Sequence, residues 1–266
     1  MHDTVRLDVI RSKQGFICDM DGVIYHGNRL LEGVKEFIDW LHAEKKDYLF
    51  LTNSSERSPL ELQQKLKRLG LIIDKEHFYT SAQATAAFLA SQHPEGSAYV
   101  IGEPGLIHAL YEAGYSMNEV NPDYVVVGES KNYNLDTVTR AVNLVLKGAK
   151  LIGTNPDLTG NIEHGIMPAT GALISPISLA TQREPYFVGK PNPLMMRHAM
   201  KRLGTSVDET VIIGDRMDTD IIAGIESGID TVLVLSGVTD IQRMKAFAYA
   251  PTVCLEGVHE IPGDAT

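Results

Sequence analysis

The chain has 266 residues, 44% of them apolar, and a formal net charge of −10 at pH 7. That length accommodates one large domain or two modest ones with a substantial core, and the acidic balance excludes a nucleic-acid polymer as a partner, because polyanions are bound by basic surfaces. Two distant cysteines, Cys18 and Cys254, give neither a disulfide framework nor a zinc site, and no leader-like or membrane-length apolar run is present, so a soluble, unprocessed, cytoplasmic protein is expected.

The apolar run Phe16-Ile17-Cys18 reads as a buried strand, with Cys18 a small core hydrophobe. It ends in Asp19-Met20-Asp21-Gly22, two carboxylates one residue apart at the carboxyl end of a strand, where open α/β sheets hold their ligands. Burying both is costly unless a cation or donors receive them. Val23 to Leu31, with Gly27 and Asn28 at its centre, suits either a short hairpin flap or a plain loop. Val34, Phe37, Ile38 and Leu41 recur at helical spacing between Gly33 and Lys45, and Tyr48 to Leu51 is a second buried strand, completing a βαβ unit. Ser58 and Pro59 supply an N-cap and a first-turn proline for a helix carrying Leu60, Leu62, Leu66 and Leu69, closed by Gly70. Phe78-Tyr79 is one more short strand.

From about Ser81 the pattern gives a helix over Ala82 to Ala90, a strand over Ala98 to Ile101, a helix through Ile107 and Leu110, and a strand over Tyr124 to Val127. A helix from Leu135 to Lys147 and a strand from Lys150 to Ile152 follow, and then less regular chain through Pro168, Gly171, Pro176 and Pro185. From Tyr186 come the strand Phe187-Val188 and a helix opened by Pro193, whose Met196 and Met200 read as core. The strand Val211 to Ile213, a helix bearing Ile221, Ile222 and Ile225, the strand Thr231 to Leu235 and a weaker tail complete the chain. Roughly ten strand-like segments exceed the usual five or six of a single sheet, which favours two layers. The expected division is a core of residues 1–82 and 185–266 around an insertion of residues 83–184.

Three further segments end strands or open helices with groups that suit a phosphate and a metal: Thr52-Asn53-Ser54, Gly189-Lys190-Pro191, and Gly214-Asp215-Arg216-Met217-Asp218-Thr219-Asp220. Each has an ordinary reading alone. Thr52 would make a local turn bond, Lys190 would be a solvated charge, Asp215 or Asp220 would cap a helix, and the Asp19/Asp21 pair would be a calcium loop or a solvated turn. The ordered set DxD, Thr, Lys, GDxxxTD nevertheless resembles the phosphatases of the haloacid dehalogenase superfamily, over nearly the whole chain. Asn121 to Glu129, Gly153-Thr154-Asn155-Pro156-Asp157 and Gly189-Lys190-Pro191 resemble its NagD-like branch, which carries a large cap.

The resemblance implies an α/β fold, a Rossmann-like parallel-sheet core with an inserted α/β cap, and it favours the flap for Val23 to Leu31. It implies Asp19 as a nucleophile that forms an aspartyl-phosphate and also binds Mg²⁺, with Asp215 as a second carboxylate ligand, the backbone carbonyl of Asp21 as a third, and Asp220 supporting them from behind. A metal makes physical sense, because an anionic ester repels an attacking carboxylate until the charge is cancelled. Asp21 is the expected general acid and base. Thr52 and the backbone amide of Asn53 are expected to bind the phosphoryl group, and Lys190 to neutralise it together with Asp19. Many relatives carry a second Asn where this chain has Ser54. In the cap, Tyr133, Asn155 and Asp157 are candidates for contact with the non-phosphate part of the substrate, against the turn chemistry that Asn-Pro-Asp also signals; His164 reads as an exposed loop histidine. The expected activity is Mg²⁺-dependent hydrolysis of small soluble phosphates, nucleoside monophosphates first and sugar phosphates second. A phosphomutase and a silent phosphate-binding regulator are the rival readings. The expected partner is the small-molecule ester, with no nucleic acid and no membrane, and a homo-oligomer formed through the cap is left open.

Overall fold

The computed structural model describes residues 2–162 and 165–263; His164 lies outside the described residues. The chain divides into two compact units, residues 1–52, 63–79 and 190–266 in one and residues 53–62 and 80–189 in the other. The chain therefore crosses between units at 52/53, 62/63, 79/80 and 189/190, and the expected insertion lies inside the second unit.

The first unit is built on a six-stranded sheet in the order Val253–Leu255, Asp230–Val234, Thr210–Gly214, Gly15–Cys18, Asp47–Thr52, Phe78–Thr80. Gly15–Cys18 pairs in parallel with both Thr210–Gly214 and Asp47–Thr52, and Asp230–Val234 in parallel with Thr210–Gly214 and Val253–Leu255. Strands buried on both faces are continuously apolar rather than alternating, and Phe16, Ile17, Cys18, Phe50, Leu51, Val211, Ile212 and Ile213 are all fully buried. Helix Val34–Ala43 buries Val34, Phe37, Ile38 and Leu41, the four residues whose spacing predicted it. Tyr25–His26 and Arg29–Leu30 form an antiparallel hairpin turned at Gly27, with φ +58°, so the segment after the Asp19 turn is a hairpin and not a plain loop. Ser58 and Glu61, on the second-unit side of the crossing at 62/63, close a capping box ahead of helix Pro59–Arg68. Met196 and Met200 are core residues.

The second unit has its own five-stranded sheet, ordered Tyr186–Phe187, Lys150–Gly153, Tyr124–Val127, Ser97–Ile101, Ser116–Met117, with all four neighbouring pairs parallel. Its core gathers Tyr99, Val125, Val127, Leu144, Leu151, Ile174 and Ile177. Two elements depart from expectation. Thr170–Thr181 is a helix despite Pro176 inside it, and Thr159–Ile162 pairs with Gly165–Pro168 in a hairpin where irregular chain was expected. At the N-terminus His2–Ser12 is a helix, and the tail holds a short helix, Ile241–Lys245, and the edge strand Val253–Leu255. No helix among the described residues is long and apolar enough to cross a membrane.

Candidate active site

Asp19 and Asp215 directly follow, and Thr52 ends, three neighbouring parallel strands of the first unit, so its fold delivers all three to the carboxyl end of one sheet. The Asp19 backbone N–H donates to Ile213 O at 2.8 Å and extends the ladder one residue past the strand. Asp220 arrives differently. A wide π-type turn over Met217–Ile221 folds back on Gly214, where any Cβ would run into the Asp220 side chain.

Lys190 ties the group together. Its Nζ donates to Asp19 Oδ1 at 2.5 Å, to Asp220 Oδ1 at 2.7 Å and to Leu51 O at 3.3 Å, with its side chain only 2% exposed. Burial works to lower the Lys190 pKa, but Asp19 and Asp220 outweigh it and hold the ammonium above its usual value, so it stays charged. Asp220, expected behind the site, is a direct partner of the lysine, and its Oδ2 accepts the Arg216 backbone N–H at 3.1 Å.

One ligand oxygen from each of Asp19, Asp215 and Asp220 lies within 4.8 Å of the others. Three carboxylates face one ammonium, more acidic groups than the lysine can neutralise, and all the candidate ligand atoms are hard oxygens. That is the chemistry of a site for a divalent cation such as Mg²⁺. The protonation behaviour agrees: burial, with Asp220 nearby, pushes the Asp215 carboxyl up to about 7, although the Val238 backbone N–H donates to its Oδ2 at 2.7 Å. Asp19 is raised by burial too, against the opposing pull of Lys190. Gly22 and Gly237 pack so closely on Asp215 that a side chain at either would displace the carboxylate, and Ser236 Oγ donates to Gly22 O at 2.7 Å. The contribution of Ser236-Gly237-Val238 was not anticipated, although a Ser-Gly directly after an apolar strand is the same signal that marked the other loops.

The three clustered acids differ in exposure. The Asp19 side chain is 13% exposed, whereas that of Asp220 is 1% exposed and Asp215 is 2% exposed. Asp21 stands apart from the cluster with its carboxylate 53% exposed and His26 Nδ1 at 3.7 Å. Partial desolvation raises its carboxyl, opposed by the charges of Lys65 and His26. The structure thus separates the two carboxylates of the DxD turn by environment.

In the second unit, Asn53 Nδ2 donates to Asp157 Oδ2 at 2.8 Å, and Asn155 Nδ2 donates to the same oxygen at 2.7 Å. Ser55 donates through both its N–H and its hydroxyl to Glu129, whose carboxyl burial pushes up. Ser54 Oγ accepts the Glu56 backbone N–H at 3.3 Å. Of the residues expected to touch the leaving group, Asn155 is buried, and Tyr133 packs on the unit's core with its hydroxyl donating to Leu173 O at 2.6 Å. The Ser55–Glu129 pair was missed, since nothing in an isolated Ser or Glu signals a partner 74 residues away.

Comparison with known proteins bears on the family and the fold. A family model described as haloacid dehalogenase-like hydrolase matches residues 16–116, and an HAD-hydrolase-like model matches residues 187–261. Dihydroxyacetone phosphatase of Corynebacterium glutamicum is 44% identical over 92% of this chain and 90% of its own. Ribonucleotide monophosphatase NagD of Escherichia coli is 40% identical over 92% of this chain and 96% of its own. Among solved structures, the 4-nitrophenylphosphatase of Thermotoga maritima superimposes with a TM-score of 0.92 at 30% identity, covering 95% of this chain and 97% of the other.

Proposed function

We infer the reaction from one premise: this chain belongs to the haloacid dehalogenase-like hydrolases and is a phosphatase of the NagD-like branch. The reading is Mg²⁺-dependent hydrolysis of small phosphate monoesters through an aspartyl-phosphate, with nucleoside monophosphates as the first substrate class. The relative at 44% identity that is named for a triose phosphate favours short sugar-type phosphates as the second. One observation carries the mechanism: Asp19 is the most exposed member of a buried carboxylate cluster, gripped by a charged lysine at the end of the central strand.

Asp19 and Asp215, with the backbone carbonyl of Asp21, would hold Mg²⁺, which supplies the charge cancellation that lets a carboxylate approach an anionic ester. An Asp19 oxygen attacks phosphorus and the bond to the ester oxygen breaks, while Asp21 passes its proton to that departing oxygen. Lys190, with Thr52 and the backbone N–H of Asn53, takes up the charge on the transferring phosphoryl oxygens. Water then attacks the phosphorus of the aspartyl-phosphate, Asp21 takes its proton, and cleavage of the bond to Asp19 restores the carboxylate and releases inorganic phosphate.

A panel of phosphate esters scored by released inorganic phosphate, with Mg²⁺ and in excess chelator, tests the reading. Nucleoside monophosphates should turn over best, activity should vanish on chelation and return with Mg²⁺. Transfer to a second hydroxyl without free phosphate would make the chain a phosphomutase, and unchanged turnover in chelator would remove the metal from the mechanism.

A further inference from the structure

Asp157 was singled out in the sequence as a residue for the leaving group, but its surroundings suit another task. Both amides that reach it, from Asn53 and Asn155, converge on one oxygen, Oδ2. Asn155 is itself buried, with its Oδ1 accepting the Thr154 hydroxyl at 2.9 Å, so the arrangement is braced from behind. The Asp157 backbone oxygen accepts Gly171 N–H at 2.8 Å, just inside helix Thr170–Thr181. On its other side Asn53 is held through its backbone, where Ser81 Oγ donates to Asn53 O at 2.5 Å. Gly189 closes the crevice, since a Cβ there would lie 2.8 Å from Asn53 Oδ1 and 2.6 Å from Thr154 O.

We propose that Asp157 is a positioning residue for the phosphate-binding turn: by holding the Asn53 carboxamide, it fixes the direction in which the Asn53 backbone N–H points. The proposal rests on the reading that Thr52 and Asn53 receive the phosphoryl group. An ionised carboxylate only accepts hydrogen bonds, so the Asn53 amide must turn its nitrogen toward Asp157 and its oxygen away. With the carbonyl pinned by Ser81 and the side chain by Asp157, the Asn53 backbone has little freedom left. The Thr52–Asn53 peptide is thereby set before substrate arrives, which is what electrostatic preorganisation requires. A residue of this kind acts on the phosphoryl group that all substrates share and not on the part that distinguishes them.

The test measures inhibition by inorganic phosphate and kcat/KM for one alkyl and one nitrophenyl ester in Asp157→Ala, Asp157→Asn, Asn53→Ala, Thr52→Ala and the Asn53→Ala/Asp157→Ala double variant. Loss of a charge-assisted hydrogen bond is expected to weaken phosphate inhibition about tenfold in Asp157→Ala and to lower kcat/KM for both esters by the same factor. Asp157→Asn should recover most of this, because its carbonyl oxygen can accept both amides, and the double variant should be no worse than either single one. Unequal losses on the two esters, or an Asp157→Asn as impaired as Asp157→Ala, would overturn the positioning role in favour of direct contact with the substrate. If Asp157→Ala fails to fold, the uniform loss must appear in Asn53→Ala, and its absence there overturns the proposal. Weakened phosphate inhibition in Thr52→Ala without any in Asp157→Ala sinks the positioning role alone; unchanged inhibition in Thr52→Ala sinks the phosphate-turn reading beneath it.

Discussion

Asp215 shows what a single residue at this site costs the fold. Its folded carboxyl keeps a proton up to about pH 7, whereas an unfolded aspartate releases it near about 4. Across that window the folded state binds the extra proton, so in the metal-free protein stability falls as pH rises, and the penalty is complete above about pH 7. Asp215→Asn keeps an acceptor for the Val238 N–H and removes the charge. It should raise the metal-free Tm at pH 8, flatten the dependence of Tm on pH between 4 and 7 (roughly 1.4 kcal/mol per unit of pKa shift as an upper scale), and abolish turnover. A Tm at pH 8 equal to or below that of the unsubstituted protein would show that the carboxylate is not strained there. Asp21, the exposed carboxylate of the DxD turn, is tested through the proposed chemistry and not through stability. In Asp21→Ala an alkyl ester should lose roughly 10²- to 10⁴-fold in rate, because its departing alkoxide needs the proton. A nitrophenyl ester should still phosphorylate Asp19 and then stall, giving a burst of nitrophenol near one equivalent per enzyme. Equal losses on the two esters without a burst would reject Asp21 as the acid and base.

At the scale of elements, the turn linking Asp19 to its hairpin supplies a paired comparison. Gly22 and Gly27 both have positive φ, +82° and +58°, but a Cβ at Gly22 would meet the Asp215 carboxylate, while at Gly27 nothing lies within 4 Å. Gly27→Ala should therefore cost only about 1 kcal/mol of backbone preference and leave kcat unchanged. Gly22→Ala should lose activity by tenfold or more, measured at saturating Mg²⁺; if the two variants behave alike, the close approach to Asp215 has no functional weight. Which elements were legible in the sequence follows the same logic of local against distant causes. The strands ending at Cys18, Leu51 and Ile213 and the amphipathic helix after Gly33 announce themselves, because their burial imposes an apolar run or a 3.6-residue period. Helix Thr170–Thr181 does not. Pro176 argues against a helix, and what overrides it is burial of Leu173, Ile174 and Ile177 against a sheet whose strands lie elsewhere in the chain. The acids and lysine of the site could be read from motif order, whereas the Asp220–Lys190 contact and the Asn53–Asp157 tether depend on chain crossings that no local pattern encodes.

For the molecule as a whole, the net charge of −10 makes a long-range prediction about an anionic substrate. Repulsion at a distance slows encounter, and salt screens it over a Debye length of about 10 Å at 0.1 M. With free Mg²⁺ held constant, kcat/KM for a dianionic ester should rise as inert salt goes from 10 to 150 mM. A steady fall would show that the field near Lys190 dominates at range. The topology carries a different kind of consequence, for the order in which the protein is made. The central strand Gly15–Cys18 can pair with Asp47–Thr52 early, but its other neighbour, Thr210–Gly214, leaves the ribosome only after the whole second unit. At about 5–20 residues per second that partner follows roughly 10–40 seconds behind, and throughout the wait one side of a strand that is fully buried in the finished fold is a bare row of peptide donors and acceptors. The second unit, with its own sheet and core, is the part of the nascent chain able to fold in that interval, so Asp19, the proposed nucleophile, is among the first residues synthesised and among the last to be enclosed.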